Sequence, residues 1–128
     1  MRLIVLIAVA GAAGAVGRYV LSGWTYRLLG ESFPYGTLAV NILGCFLLGS
    51  VHQIGQQTDL LTQETRIAIA IGFLGALTTY STFGYETFRL LEDGSWGPAL
   101  ASVATHLLLG LLAVWLGITL IRVLMGGG

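Results

Sequence analysis

The sequence predicts an all-α membrane protein, a single domain over residues 1–128 with four transmembrane helices and a break in the third. Three observations predict it. Charged residues make up only 9% of the chain and hydrophobic residues 55%, where a soluble domain carries about 25% charged residues. Four runs approach the roughly 20 apolar residues that a bilayer span needs. Trp24, Tyr26, Tyr35 and Trp96 fall at or near the polar stretches between those runs, where amphipathic rings sit at the lipid–water boundary.

The first span runs from Leu3 to Leu21 and the second from about Gly36 to Gly55. The third runs from about Arg66 to Leu91 and the fourth from about Pro98 to Met125. Polar breaks at Ser22–Tyr35, Gln56–Glu64 and Glu92–Trp96 separate them. Pro98 suits the first turn of a helix, where no backbone N–H is needed. The tail Gly126–Gly128 is expected to fray and has no functional reading. Met1-Arg2 before an apolar stretch also fits a signal peptide. The run stays apolar through Val20-Leu21 and three more spans follow, which favours a retained helix. Cys45 is the single cysteine, inside an apolar run, so no disulfide forms within the chain.

Lys+Arg and Asp+Glu cancel at 6 each, and every cation is an arginine. No basic patch argues for nucleic acid as a partner. Chain alternation puts Arg2, Arg66 and Arg122 on one side of the membrane. Arg27 and Arg89 lie on the other, with Arg18 near the same end of the first helix. Positive charge orients a membrane protein only through an asymmetry, and this chain has almost none. Insertion in both orientations follows. Four short helices make a poor pore alone, and a second copy supplies another wall. Small residues at helical spacing permit close contact in lipid: Gly11 with Ala15, Ala13 with Gly17, and Ala10 with Gly14. The same spacing equally serves packing within one chain.

Polar groups inside a span face protein or water, because hydrocarbon leaves them unpaired. On the second helix Thr37, Asn41, Cys45, Gly49 and His52 form one stripe. On the fourth, Ser102, His106, Gly110, Ala113 and Gly117 do the same. Each stripe is either a sealed helix contact or the wall of a path. In the third span, Thr78-Thr79-Tyr80-Ser81-Thr82 places five hydroxylated residues mid-membrane. β-Branched residues and flanking glycines lower helix propensity there, which predicts a break. Broken membrane helices expose carbonyls and amides that bind ions. The competing conformation is a continuous helix whose hydroxyls bond back to the preceding turn.

The segments Gly36-Thr37-Leu38-Ala39-Val40-Asn41 and Gly75-Ala76-Leu77-Thr78-Thr79-Tyr80-Ser81-Thr82-Phe83-Gly84-Tyr85-Glu86, with Gly14 and Arg18-Tyr19, resemble the signatures of the Fluc/CrcB family of fluoride ion channels. The resemblance covers nearly the whole chain. It implies an antiparallel, dual-topology homodimer in a bacterial inner membrane, exporting fluoride passively through two pores. It implies a structural Na⁺ at the dimer centre, held by the carbonyls of Gly75 and Thr78. Asn41 is then the pore asparagine, with Thr37 one turn away. Phe83 is the second aromatic of the family's pair, and Glu86 the acid after it. The first aromatic is Tyr80 where phenylalanine is usual. Gly75-Ala76 stands for Gly-Gly, and Gly84 for a serine. His106 and Gly110 stand where many relatives have serines.

The chemistry fits fluoride. Stripping its water costs roughly tens of kcal/mol in a low-dielectric medium, so a pore must replace that water with donors that still let go. Asn41 offers an amide, and Thr79, Tyr80, Ser81 and Thr82 offer hydroxyls. Ser102 and His106 extend the polar lining. The positive edge of the Phe83 ring also suits an anion. Arg18 either concentrates anions at a vestibule or snorkels to the interface. Glu86 belongs near a pore end, hydrogen-bonded or paired. Two other readings compete. A small proton-coupled multidrug exporter needs a deep carboxylate in the first span, which has none. A noncatalytic membrane scaffold explains the glycines but not the Thr78–Thr82 segment. Neither the two histidines nor any Ser/His/Asp grouping has metal or triad spacing, so an enzyme is not expected.

Overall fold

A computed structural model of the chain describes residues 1–126; residues 127 and 128 of the expected frayed tail lie outside the described residues. Helix α1, Arg2–Leu29, does not stop where its apolar run ends at Leu21. The Thr25 hydroxyl donates to the Leu21 carbonyl at 2.8 Å, so this polar residue is satisfied by the turn before it. The helix ends at Gly30, whose φ of +84° is left-handed and whose N–H bonds to the Tyr26 carbonyl. Only glycine takes that conformation without strain. Helix α2, Tyr35–Gln57, starts directly after Pro34. Near its C-terminal end, Arg66 Nη1 donates to the Gly55 carbonyl at 3.1 Å, a favoured place for a cation.

The third span is composite. Helix α3, Gln63–Ile67, is capped by the Thr62 side chain, which accepts the Thr65 N–H. A π-helical stretch follows over Ala68–Leu74, then the short α4, Gly75–Leu77. Helix α5 is Tyr80–Glu92 and helix α6 is Trp96–Leu124. Pro98 sits in the first turn of α6, where its missing N–H costs nothing. At 29 residues, α6 is about 44 Å long, ample for a hydrocarbon core of about 30 Å. Four helical stretches are long and apolar enough to cross a membrane: Arg2–Leu29, Tyr35–Gln57, Gln63–Glu92 and Trp96–Leu124. The chain is a multi-pass, all-helical membrane protein.

Helix α2 packs along α6, and α1 packs against both α2 and the third span. Small residues set these contacts. A Cβ on Gly117 would lie 2.2 Å from the Phe46 carbonyl oxygen, and one on Gly49 2.5 Å from that of Val114. On α1, a Cβ at Gly14 would lie 2.1 Å from the Phe73 carbonyl oxygen. Gly11 and Gly17 face the same span, near Gly72 and Leu77. The glycine face of α1 is therefore used within the chain, while Ala13 and Ala15 are exposed. Close backbone approach replaces the large apolar core of a soluble protein. Large apolar side chains such as Leu107, Leu111 and Trp115 of α6 stay exposed, as suits a surface solvated by acyl chains.

Candidate functional site

The site begins where helical hydrogen bonding stops. Leu77 ends α4, and the backbone is extended at Thr78 (φ −84°, ψ 158°) and Thr79 (φ −151°, ψ 109°) before α5 starts. A π-helical stretch directly before such a point is common at functional sites. In hydrocarbon the freed peptide groups need partners. Asn41 of α2 provides two of them. Its Oδ1 accepts the Thr79 N–H at 2.7 Å, and its Nδ2 donates to the Thr79 carbonyl at 3.1 Å. The amide thus mimics a neighbouring strand, and its orientation is set by both bonds. One Nδ2 hydrogen remains uncommitted to Thr79.

Other bonds hold the ends of this extended pair. The Thr78 N–H and hydroxyl both bond to the Leu74 carbonyl, at 3.0 and 2.9 Å. The Thr78 methyl sits against Gly44, where a Cβ would come within 2.1 Å of it. Thr79 caps α5: its Oγ1 accepts the Thr82 N–H at 3.1 Å and donates to Thr82 Oγ1 at 2.8 Å. Ser81 Oγ lies 3.3 Å from the same oxygen. A continuous helix would give the Thr79 N–H to the Gly75 carbonyl. That donor is committed to Asn41, and Gly75 is exposed on the surface of the chain. A carbonyl released in this way is a hard oxygen donor suited to a hard cation.

Beside this pair lies an open groove of about 520 Å³ between α2, α4, α5 and α6. Asn41, Gly75, Thr78, Thr79, Tyr80, Phe83 and His106 all line it, together with Cys45 and apolar residues. The Phe83 ring lies 4.3 Å from the His106 ring, tilted 40°, and 5.7 Å from the Tyr80 ring. His106 Nδ1 is 2.9 Å from the Ser102 carbonyl, while its Nε2 is buried with no partner among the described residues. Tyr80 is 84% exposed, so its ring stands at the open side of the groove.

The remaining expected residues lie elsewhere. Thr37 is buried, with its Oγ1 3.4 Å from the Tyr26 hydroxyl, which donates to Glu86 Oε1 at 2.9 Å. Glu86 is thus hydrogen-bonded, and its Oε2 is buried with no partner among the described residues. Tyr26 and Glu86 line a second cavity of about 600 Å³, with Arg89 and Asp93. Ser102 is fully buried, its hydroxyl 3.2 Å from that of Thr87; neither Ser102 nor Thr37 lines the groove. Ser81 is exposed and Thr82 is tied to the Thr79 cap. Arg18 is partly exposed, with no ion-pair partner among the described residues. Sequence reasoning placed Tyr26 at the lipid boundary and overlooked Thr87. Gly36 packs against the Tyr26 ring, where a Cβ would clash with it, a contact that only the packing of α1 on α2 reveals.

A family model described as "CrcB-like protein, Camphor Resistance (CrcB)" matches residues 5–118. A protein of Geobacter metallireducens named "Fluoride-specific ion channel FluC" is 52% identical over 122 residues, covering 95% of this chain and 98% of that one. The protein of the same name from Geobacter sulfurreducens is 49% identical over 122 residues, with the same coverage. That from Pelobacter propionicus is 44% identical over 128 residues, covering 100% of this chain and 99% of its own.

Proposed function

The chain belongs to the CrcB family, and from that membership we propose that it is a fluoride-selective channel that lets the ion leave the cell passively. It is a transport protein and not an enzyme. The observation that carries the reading is the Asn41 amide, locked onto the extended Thr79 backbone at the wall of an open groove. An anion there meets a fixed amide dipole and the edge of the Phe83 ring. Neither is a full charge, so fluoride exchanges water for these donors without being trapped. The Tyr80 and Ser81 hydroxyls stand exposed at the start of α5 and add donors there, whereas the Thr79 hydroxyl is spent on Thr82 and those of Thr37 and Ser102 lie outside the groove. Arg18 raises the anion concentration at an entrance. Fluoride efflux from liposomes containing the purified chain tests this reading. Efflux is expected with or without a sodium gradient; no fluoride efflux, or efflux driven by sodium movement, rejects it.

A single chain walls the groove on one side. A second copy, inserted antiparallel in a bacterial inner membrane, closes it and gives two pores. The near-even arginine distribution supports insertion in both orientations. C-terminal reporter fusions should appear on both sides of the membrane; one orientation in every cell counts against the assembly. At the centre of such a dimer, the Gly75 and Thr78 carbonyls of both chains hold a structural Na⁺. Carbonyl oxygens freed at the extended pair fit a hard cation, and the ion offsets the cost of leaving them unpaired in the membrane.

A further inference from the structure

Resting on the channel reading above, we propose that His106 is a proton-dependent ligand for the permeant anion, a donor when its ring is charged and an acceptor when it is neutral. The geometry of the ring carries this. Nδ1 lies 2.9 Å from the Ser102 carbonyl. A carbonyl oxygen only accepts, so Nδ1 carries the hydrogen in the neutral ring. Nε2 is then a bare lone pair. It is buried, has no partner among the described residues, and belongs to a residue that lines the groove beside Asn41. A lone pair repels fluoride. Binding a proton there turns Nε2 into a charged N–H donor, the stronger class of hydrogen bond to an anion.

The Phe83 ring, 4.3 Å away, restricts how the imidazole turns. The ring therefore cannot easily present its other nitrogen, which the Ser102 carbonyl also holds. The titratable groups facing His106 are Glu86 and Tyr80 of α5 and Cys45 of α2. Of these, Glu86 is already hydrogen-bonded by Tyr26. The imidazole is the group whose ordinary range spans physiological pH. A serine hydroxyl in its place donates at any pH, so this residue makes fluoride affinity depend on acidity.

Fluoride efflux from liposomes holding the full chain is measured at about pH 8 and about pH 5.5, with protein-free liposomes subtracting leakage of hydrogen fluoride. The fluoride concentration for half-maximal efflux should fall about threefold to tenfold at the acid pH. His106→Ser and His106→Gln, whatever their absolute flux, should show no such shift. A second measurement leaves the groove untouched. In protein labelled with ¹⁵N-histidine and carrying His52→Gln, fluoride but not chloride should raise the titration midpoint of the remaining ring, by about half to one pH unit through reciprocal linkage. Wild-type efflux that is absent at both pH values defeats the channel reading itself. Efflux with a pH-independent half-saturation, a pH shift surviving in either variant, or a midpoint unmoved by fluoride overturns the role of His106 alone.

Discussion

Liposomes carrying Asn41→Asp protein are expected to lose fluoride efflux by roughly a hundredfold or more, since two like charges about 4 Å apart repel by roughly 4 kcal/mol at an effective dielectric of about 20. The substitution acts twice. It places an acid where fluoride meets an amide, and it removes the donor that the Thr79 carbonyl accepts from Nδ2 at 3.1 Å. A carboxylate oxygen facing that carbonyl repels it. Asn41 Oδ1 has an equivalent in aspartate, so the bond from the Thr79 N–H survives. The unpaired carbonyl costs about 1–3 kcal/mol, which the contact of α2 along α6 should tolerate. Size-exclusion profiles of variant and wild type should therefore match. Efflux near the wild-type rate from correctly assembled protein would remove Asn41 from the ion path.

Phe83→Ala should lower efflux about tenfold, because an aromatic pair contributes about 0.5–1.5 kcal/mol beyond its buried area and here the ring also offers its edge to the ion. Without it, His106 loses the neighbour 4.3 Å away and the groove gains open volume. Tyr80→Phe should stay within about twofold of wild type, since the ring edge that faces an anion is retained. Tyr80 is 84% exposed, and its hydroxyl has no hydrogen-bond partner among the described residues. The comparison is internal: both residues belong to α5 and their rings are 5.7 Å apart. Tyr80→Phe protein that folds but does not conduct would make the hydroxyl essential. Equal rates for Phe83→Ala and wild type would take the ring edge out of the mechanism.

Apolar content and its interruptions are local properties. They decide whether a segment is more stable in lipid, so four membrane helices and the family motif were legible residue by residue. Helix ends were less so. The polar stretch after Leu21 reads as a loop, yet Thr25 satisfies itself on the preceding turn and α1 continues to Leu29. The small-residue spacing on α1 left packing within the chain and packing between copies equally open, and tertiary structure placed Gly11, Gly14 and Gly17 against the third span while Ala13 and Ala15 stay exposed. The same holds for the polar stripes. Thr37 and Asn41 share one face of α2, but Asn41 meets Thr79 while Thr37 meets Tyr26.

Length, hydropathy and motif are written along the chain, so the membrane setting, the four spans and the family follow from the residues in order. Tertiary structure alone decided which partner each polar group takes. Asn41 reaches a backbone 38 positions away and Tyr26 a carboxylate 60 positions away. His106, in contrast, finds only a carbonyl of its own helix and leaves one nitrogen bare. In a medium without water such a group has only the partners that helix packing brings near, and that packing depends on where glycines let backbones touch.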